Sequence, residues 1–493
     1  MSDQPEQRLS WSTLPSSAPS GVRLPPSRGL ASSVGIVHLG IGAFHRAHQA
    51  VMTEDACIAT NDSGWGICAV TQRSPTVVEQ LKPQDGLYTL LERNGSDINA
   101  RVVAQVQDVM FAADEGERLL QQLADPGVRI VTLTVTEKGY RRRSGGGLDL
   151  DDEAVSHDLS IIGRGQPGSR SIVGQLVRGI QARIASDAGP ITVLSCDNLT
   201  NNGKMLRGLV HDFVRELPGR EADETAAFID SSVTFPSSMV DRMVPATTNS
   251  DRAEAQSMLG LRDEAVVVAE PFHQWIIEDN FAAGRPAWEH AGATLVDDVA
   301  PYEQLKLRVL NGTHSMLAYL GALKGYETIA EAVADPELAE AARRLVHDDV
   351  TPTLDVPIGV NAEEYAKEVL TRFANTALGH RTTQVAMDGS QKIPIRLLGT
   401  ARDRLAAGAV PQSVALAVAA WMAYVVAHTN ATDDSFPLDD PLADRLRQAV
   451  ADTRDDARSI TDALLSLPKI FGTDLQDNTA FSAAITAKLE RLL

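Results

Sequence analysis

Cysteine is scarce in this 493-residue chain: Cys57, Cys68 and Cys196 are the only three, an odd number without CxxC spacing. That argues against a disulfide framework and a cysteine-built zinc site, and makes a reducing cytoplasm the expected location. Positive charge is also short, with 45 Lys+Arg against 65 Asp+Glu and a net charge of −20. Such a surface repels phosphate backbones and anionic lipid, so neither nucleic acid nor a membrane is an expected partner. Long apolar runs are lacking too. The longest, residues 414–427, has fourteen residues, short of the ~20 that a membrane-spanning helix needs and suited to a buried helix. Residues 1–30 are rich in Ser and Pro and have no apolar core of a secretory signal, so they are expected to form a flexible arm. The remainder has the hydrophobic content of a globular protein, and its length suggests roughly two or three domains.

What is present is an alternation of strands and helices. The run Val-Gly-Ile-Val-His-Leu-Gly at 34–40 reads as a strand ending in a tight turn, followed by a helix over 44–60. Residues 65–70, 128–136 and 191–195 read as further strands, with helices near 171–185 and 203–214 between and after them. This alternation implies a parallel sheet over 31–285. From about residue 286 the pattern turns helical, at 305–323, 336–347, 414–428, 441–451 and 459–467.

Gly40-Ile41-Gly42 lies between a strand and a helix, where backbone N–H groups favour a pyrophosphate. The third glycine of the usual dinucleotide fingerprint is missing, because His45 stands there. Arg46, one turn further on, can pair with a phosphate. The end of the second strand, Val70-Thr71-Gln72-Arg73, carries no carboxylate for a ribose hydroxyl. Arg73 can accept a 2′-phosphate, which leaves the choice between NAD and NADP open.

The most informative segment is Lys306-x4-Asn311-x2-His314. On an α-helix, Asn311 lies ~140° from Lys306 with His314 between them, so all three fit one broad face. A lysine whose pKa is lowered by burial can take a hydroxyl proton as hydride leaves. Asn311 can donate to the developing alkoxide, as can Asn198, just past the predicted strand 191–195. His314 can orient the substrate. From spacing alone the competing reading is a surface lysine and a satisfied core histidine.

Together, Gly-Ile-Gly-Ala-Phe-His-Arg-Ala-His (40–48), Ser-Cys-Asp-Asn-Leu (195–199), Phe-Pro-Ser-Ser-Met-Val-Asp-Arg-Met (235–243), the Lys306 segment and Asp388-Gly-Ser-Gln-Lys392 resemble the long-chain mannitol dehydrogenase family over roughly residues 33–490. The resemblance implies an α/β protein. It would have an N-terminal Rossmann-type domain at 31–285 and a mainly α-helical, substrate-binding C-terminal domain at 286–493, with the active site in the cleft between them. It also implies a metal-independent, nicotinamide-dependent polyol or sugar-acid dehydrogenase using NAD, working as a monomer or small homo-oligomer. Lys306 would be the general base, Asn198 and Asn311 the oxyanion donors, and His314 a substrate-aligning residue. Gly40, Gly42, Phe44, Arg46 and Arg73 fall in the coenzyme region, and Asp241, Glu303 and Lys392 correspond to substrate-pocket or proton-path positions. Mannitol-oxidising members carry an arginine eight residues before that lysine, where this chain has Gln384. The stretch from His380 to Arg396 is more similar to the fructuronate reductase (D-mannonate oxidoreductase) branch, whose anionic substrate Arg381, Lys392 or Arg396 can meet.

Other readings compete. Tyr302-x3-Lys306 matches the pair of short-chain dehydrogenases, but their Thr-Gly-x3-Gly-x-Gly loop is absent. A mannitol or arabinitol 2-dehydrogenase, a β-hydroxyacid dehydrogenase and a non-catalytic NADH sensor are the further alternatives. The histidines and cysteines show no ligand-spaced cluster for zinc.

Overall fold

Six parallel strands form the main sheet of the first unit: β1 Val34–Leu39, β2 Gly66–Thr71, β3 Val106–Phe111, β4 Ile130–Leu133, β5 Ile191–Ser195 and β6 Val233–Thr234. Their spatial order is β3-β2-β1-β4-β5-β6, the doubly wound order in which ligands bind beyond the strand carboxyl ends where the order reverses, here between β1 and β4. The central strands β1, β2, β4 and β5 are buried on both faces because both are covered. Val37, Leu39, Val131 and Leu133 pack in one core with the helices Ile172–Ser186 and Asn202–Arg215, while Ile36, Ile67 and Ile130 pack in the other with Gln49–Thr60. The fold class expected from the alternating pattern is the one found.

The computed structural model describes residues 7–26, 31–143, 145–162, 168–357, 359–430, 438–451, 453 and 456–493. The chain divides into two units, Met1–Ala300 and Pro301–Leu493, so the boundary lies after the expected 285/286. Residues 286–300 stay with the first unit because Thr294–Val296 pairs in parallel with Gln274–Glu278 and Trp288 is fully buried beside Trp275. The expected arm also requires correction over residues 7–26. Leu9 is fully buried, Arg8 donates to Gln84 Oε1 (3.2 Å) and to the Gln80 carbonyl (2.8 Å), and Val22–Arg23 pairs with Ala100 and Arg101. A few apolar residues in a polar segment suffice when a distant strand supplies the surface, which local composition does not reveal. The rest of that expected arm, residues 1–6 and 27–30, lies outside the described residues.

The second unit is helical. Its centre is Gly312–Leu323 packed against Gln412–Asn430. The latter is long and apolar enough to cross a membrane, yet Val414, Val418, Trp421 and Val425 are buried in the core of this unit. Three helical stretches, Lys306–Asn311, Leu345–Val350 and Pro394–Leu398, are wound as π-helix. The first carries the expected catalytic spacing.

Candidate active site

In the first unit, β1 ends at Leu39 and turns at Gly40, whose φ is +101°. A Cβ there would stand 2.3 Å from the Thr134 carbonyl oxygen, so both conformation and space demand glycine. Gly42 is exposed and a Cβ on it would meet nothing nearer than 3.8 Å, which leaves its backbone accessible to a pyrophosphate. The His45 ring stacks on His38 with centroids 3.4 Å apart. This stacking supplies the close helix-to-strand packing that a third glycine otherwise allows. Burial keeps both imidazoles neutral, with the His38 pKa lowered to about 3 and that of His45 well below its usual value. The local geometry thus fits a dinucleotide. Gly40→Ala should weaken NADH binding and lower the thermal midpoint, at a strain cost of about 1–3 kcal/mol. A fluorescence titration and a melting curve, each unchanged, would contradict this steric account.

Two expectations for the coenzyme region change. The helix predicted over 44–60 breaks at His48, giving Ala43–Ala47 and Gln49–Thr60. Arg46 turns inward: its guanidinium donates to the carbonyls of Ala265 (2.5 Å) and Gly42 (3.3 Å) and lies near the Tyr88 ring. Its charge is spent on backbone carbonyls, so the phosphate contact expected of Arg46 has no support. Phe44 is half-buried and stacks on His48. Arg73 is exposed, while Gln72 before it is locked in a reciprocal amide pair with Gln175 (3.1 and 2.9 Å).

Asn198 sits in the loop after β5, and Asn202 holds that loop. The Asn202 amide donates to the carbonyls of Asp197 (3.0 Å) and Ser238 (2.8 Å), and its oxygen accepts from the Ser238 N–H (2.9 Å). Ser238 opens the strand Ser238–Asp241, whose last residue is the buried Asp241. One asparagine therefore ties together two motifs that lie far apart in sequence. It was not singled out from the sequence, although it lies four residues past Asn198 within the same stretch.

In the second unit, Glu303, Lys306, Asn311 and His314 are all buried. The α-helical geometry expected from the sequence gives way to a π segment over Lys306–Asn311. An i→i+5 register sets residues five apart above one another, so it brings Lys306 and Asn311 closer to one line than an α-helix would. The Asn311 Nδ2 and His314 Nε2 atoms are buried without a hydrogen-bond partner among the described residues. Neither a surface lysine nor a fully satisfied core histidine describes these positions.

Around His314 the charge is positive. Its ring stacks on Phe373 (4.6 Å) and faces His380 (4.9 Å). Burial first, then the fields of His380, Arg396, Lys392 and Arg372, hold its pKa well below the usual value. Lys392 donates to the Val385 carbonyl (3.2 Å), and burial followed by the neighbouring Arg396 lowers it to about 8, against opposing fields from Asp388, Asp440 and Asp439. Arg396 donates to Ser315 Oγ (3.0 Å), and its buried Nε has no partner among the described residues. Arg381 and Gln384 are exposed. Of the three cations considered for a carboxylate, Lys392 and Arg396 thus belong to the group around His314. That Arg396 has an unsatisfied donor could not be read from its sequence position.

Comparison with known proteins agrees with this layout. Residues 34–290 match the mannitol dehydrogenase Rossmann domain and residues 298–493 the mannitol dehydrogenase C-terminal domain. The chain is 40% identical over 465 residues to D-mannonate oxidoreductase of Escherichia coli (93% of each chain). It is 35% identical over 464 residues to mannitol 2-dehydrogenase of Pyrenophora tritici-repentis (93% of this chain, 79% of that one). Among solved structures, Pseudomonas fluorescens mannitol 2-dehydrogenase in ternary complex with NAD and D-mannitol superposes with a TM-score of 0.84 at 34% identity, covering 99% of this chain and 97% of that one. The chain belongs to the mannitol dehydrogenase family.

Proposed function

We propose that this NAD-dependent oxidoreductase of linear sugar derivatives interconverts a ketouronate and its aldonate, D-fructuronate and D-mannonate. The observation that carries the substrate class is the half-buried pair Lys392 and Arg396 near His314, with Arg396 Nε and His314 Nε2 both buried without a hydrogen-bond partner among the described residues. A guanidinium with an unsatisfied buried donor beside a second cation favours an anionic ligand over a neutral polyol. The 40% identity to a D-mannonate oxidoreductase and the Gln384 in place of the arginine of mannitol-oxidising members support the same reading.

In the reduction, bound NADH supplies the hydride to the carbonyl carbon. The Lys306 ammonium gives its proton to the carbonyl oxygen, so that the secondary alcohol forms and lysine is left neutral; in the oxidation the neutral amine takes the hydroxyl proton. Asn311 and Asn198 donate amide N–H groups to that oxygen while it carries negative charge. His314, neutral because it is buried among cations, donates or accepts at a substrate hydroxyl. Asp241 and Glu303 bind further hydroxyls or carry the proton onward from Lys306, and Lys392 binds the distal carboxylate together with Arg396.

The test compares kcat/KM for D-fructuronate, D-tagaturonate, D-fructose and D-xylulose with NADH and NADPH. Preference for a uronate with NADH is expected; preference for fructose or xylulose would return the chain to the polyol dehydrogenases. A pH series sharpens this test. Lys392 is charged below about 8 and neutral above it, whereas the substrate carboxylate stays ionised throughout. The ratio of kcat/KM for fructuronate over fructose should therefore fall as pH rises, by about tenfold between about pH 7 and about pH 9. Groups shared by both substrates cancel in the ratio, so a flat ratio removes Lys392 from carboxylate binding.

A further inference from the structure

Thr136 has a backbone conformation that its residue type resists. It lies three residues past β4, at φ +67° and ψ +163°, a region occupied essentially by glycine and costly for a β-branched side chain. Its side chain is exposed, so packing does not impose the conformation. The buried carboxylate of Asp197 does. One oxygen accepts the Thr136 N–H (2.8 Å), and the other accepts the Val135 N–H (3.0 Å) and the Tyr140 hydroxyl (2.7 Å), which also pairs with Ser195 Oγ (2.7 Å).

The same residue is held from its other side, where its carbonyl accepts from Asn202 Nδ2 (3.0 Å) and from the Leu199 N–H (2.8 Å). Asp197 is therefore pinned at both backbone and side chain, and the next residue is Asn198. The loop it clamps leaves β4 beside the Gly40 turn, to which Thr134 is bonded through its hydroxyl (2.8 Å to the Gly40 carbonyl). These are the strand ends beyond which an open parallel sheet binds its ligand.

We infer that Asp197 is a positioning residue for the reaction: by holding the Thr136 loop in its strained form, its carboxylate fixes the direction of Asn198 relative to the coenzyme crevice. The inference rests on the reading of Asn198 as an oxyanion donor. Strain persists only where surrounding contacts over-determine it, and here a single carboxylate supplies both bonds to the strained segment. Without it the loop relaxes and Asn198 loses its aim, while the turn at Gly40 remains.

Asp197→Asn loses one of the two acceptors for the loop amides. With whichever of the four ketoses and ketouronates turns over, kcat should fall about 100-fold, the scale of a misplacement near one ångström, while NADH affinity changes little. Adding Thr136→Gly, which adopts the same φ without strain, should recover about tenfold of that loss. A carboxylate needed only for folding would instead lower the thermal midpoint and the folded fraction, leave kcat per folded site intact, and show no recovery with glycine. Unchanged kcat in Asp197→Asn, or no recovery in the double variant, overturns the inference. Should Asp197→Asn fail to fold, amide exchange in the unaltered enzyme decides: the Val135 and Thr136 N–H groups should be protected despite the exposed loop, and exchange at the rate of free amides overturns it. Asn198→Ala, measured alongside, separates the two failures. If it keeps full kcat, the oxyanion reading falls; if it loses kcat while Asp197→Asn does not, only the role of Asp197 falls.

Discussion

Lys306→Ala is expected to lower kcat in both directions by about 10²–10⁴-fold, the usual contribution of a positioned acid or base, while NADH affinity stays near that of the unaltered enzyme. In the proposed mechanism the lysine acts on the substrate oxygen, so coenzyme binding should not depend on it. Its burial and its place at the head of a π segment fit a group whose proton is meant to move. Lys306→Arg should be nearly as inactive, because a guanidinium is permanently protonated and cannot accept the hydroxyl proton. Turnover of either variant within a few-fold of the original would end the proposed mechanism. Recovery of the alanine variant by added small primary amines would support it independently.

Asn311→Ala should cost about 2.7–4 kcal/mol of transition-state stabilisation, or about 10²–10³ in kcat, the magnitude for one oxyanion donor. Stability should move the other way from a structural asparagine. The Asn311 Nδ2 is buried without a partner among the described residues, so removing it abolishes an unmet desolvation cost and strands no partner of that atom. A thermal midpoint that holds or rises while kcat collapses is the expected pair of results. A midpoint that falls steeply while kcat per folded site survives would assign Asn311 to the architecture of the helix. Asn198→Ala should show a similar loss of kcat. The double alanine variant should lose less than the sum of the two if both amides serve one oxygen as proposed.

Several features of this layout were legible before any coordinates. Strand and helix alternation foretold the parallel sheet because its central strands are buried on both faces and so read as mostly apolar runs, as in Gly66–Thr71. The Lys306, Asn311 and His314 spacing marked the second-unit residues because a helix converts spacing into direction. Other features were not legible. The π register of Lys306–Asn311 depends on which carbonyl each N–H finds, and an α-helical wheel placed Asn311 well off the Lys306 line. Arg46 resembled a phosphate ligand by position, yet the break at His48 and the carbonyl of Ala265, more than two hundred residues away, turned it inward.

By itself, the sequence determined the fold class, the family and the types of chemical group available for proton transfer and oxyanion stabilisation, since these follow from periodicity and from motifs in a set order. The tertiary structure decided which of those groups are buried, which keep an unmatched donor, and where charge accumulates. Lys392, Arg396 and His380 surround His314 only because Phe373 and the helices before and after it pack against Gly312–Leu323. The grip of Asp197 on Thr136 likewise joins the ends of two strands that meet only in the sheet. Burial, pairing and local field are sums over neighbours in space, and in this chain those neighbours are set by packing between segments tens to hundreds of residues apart.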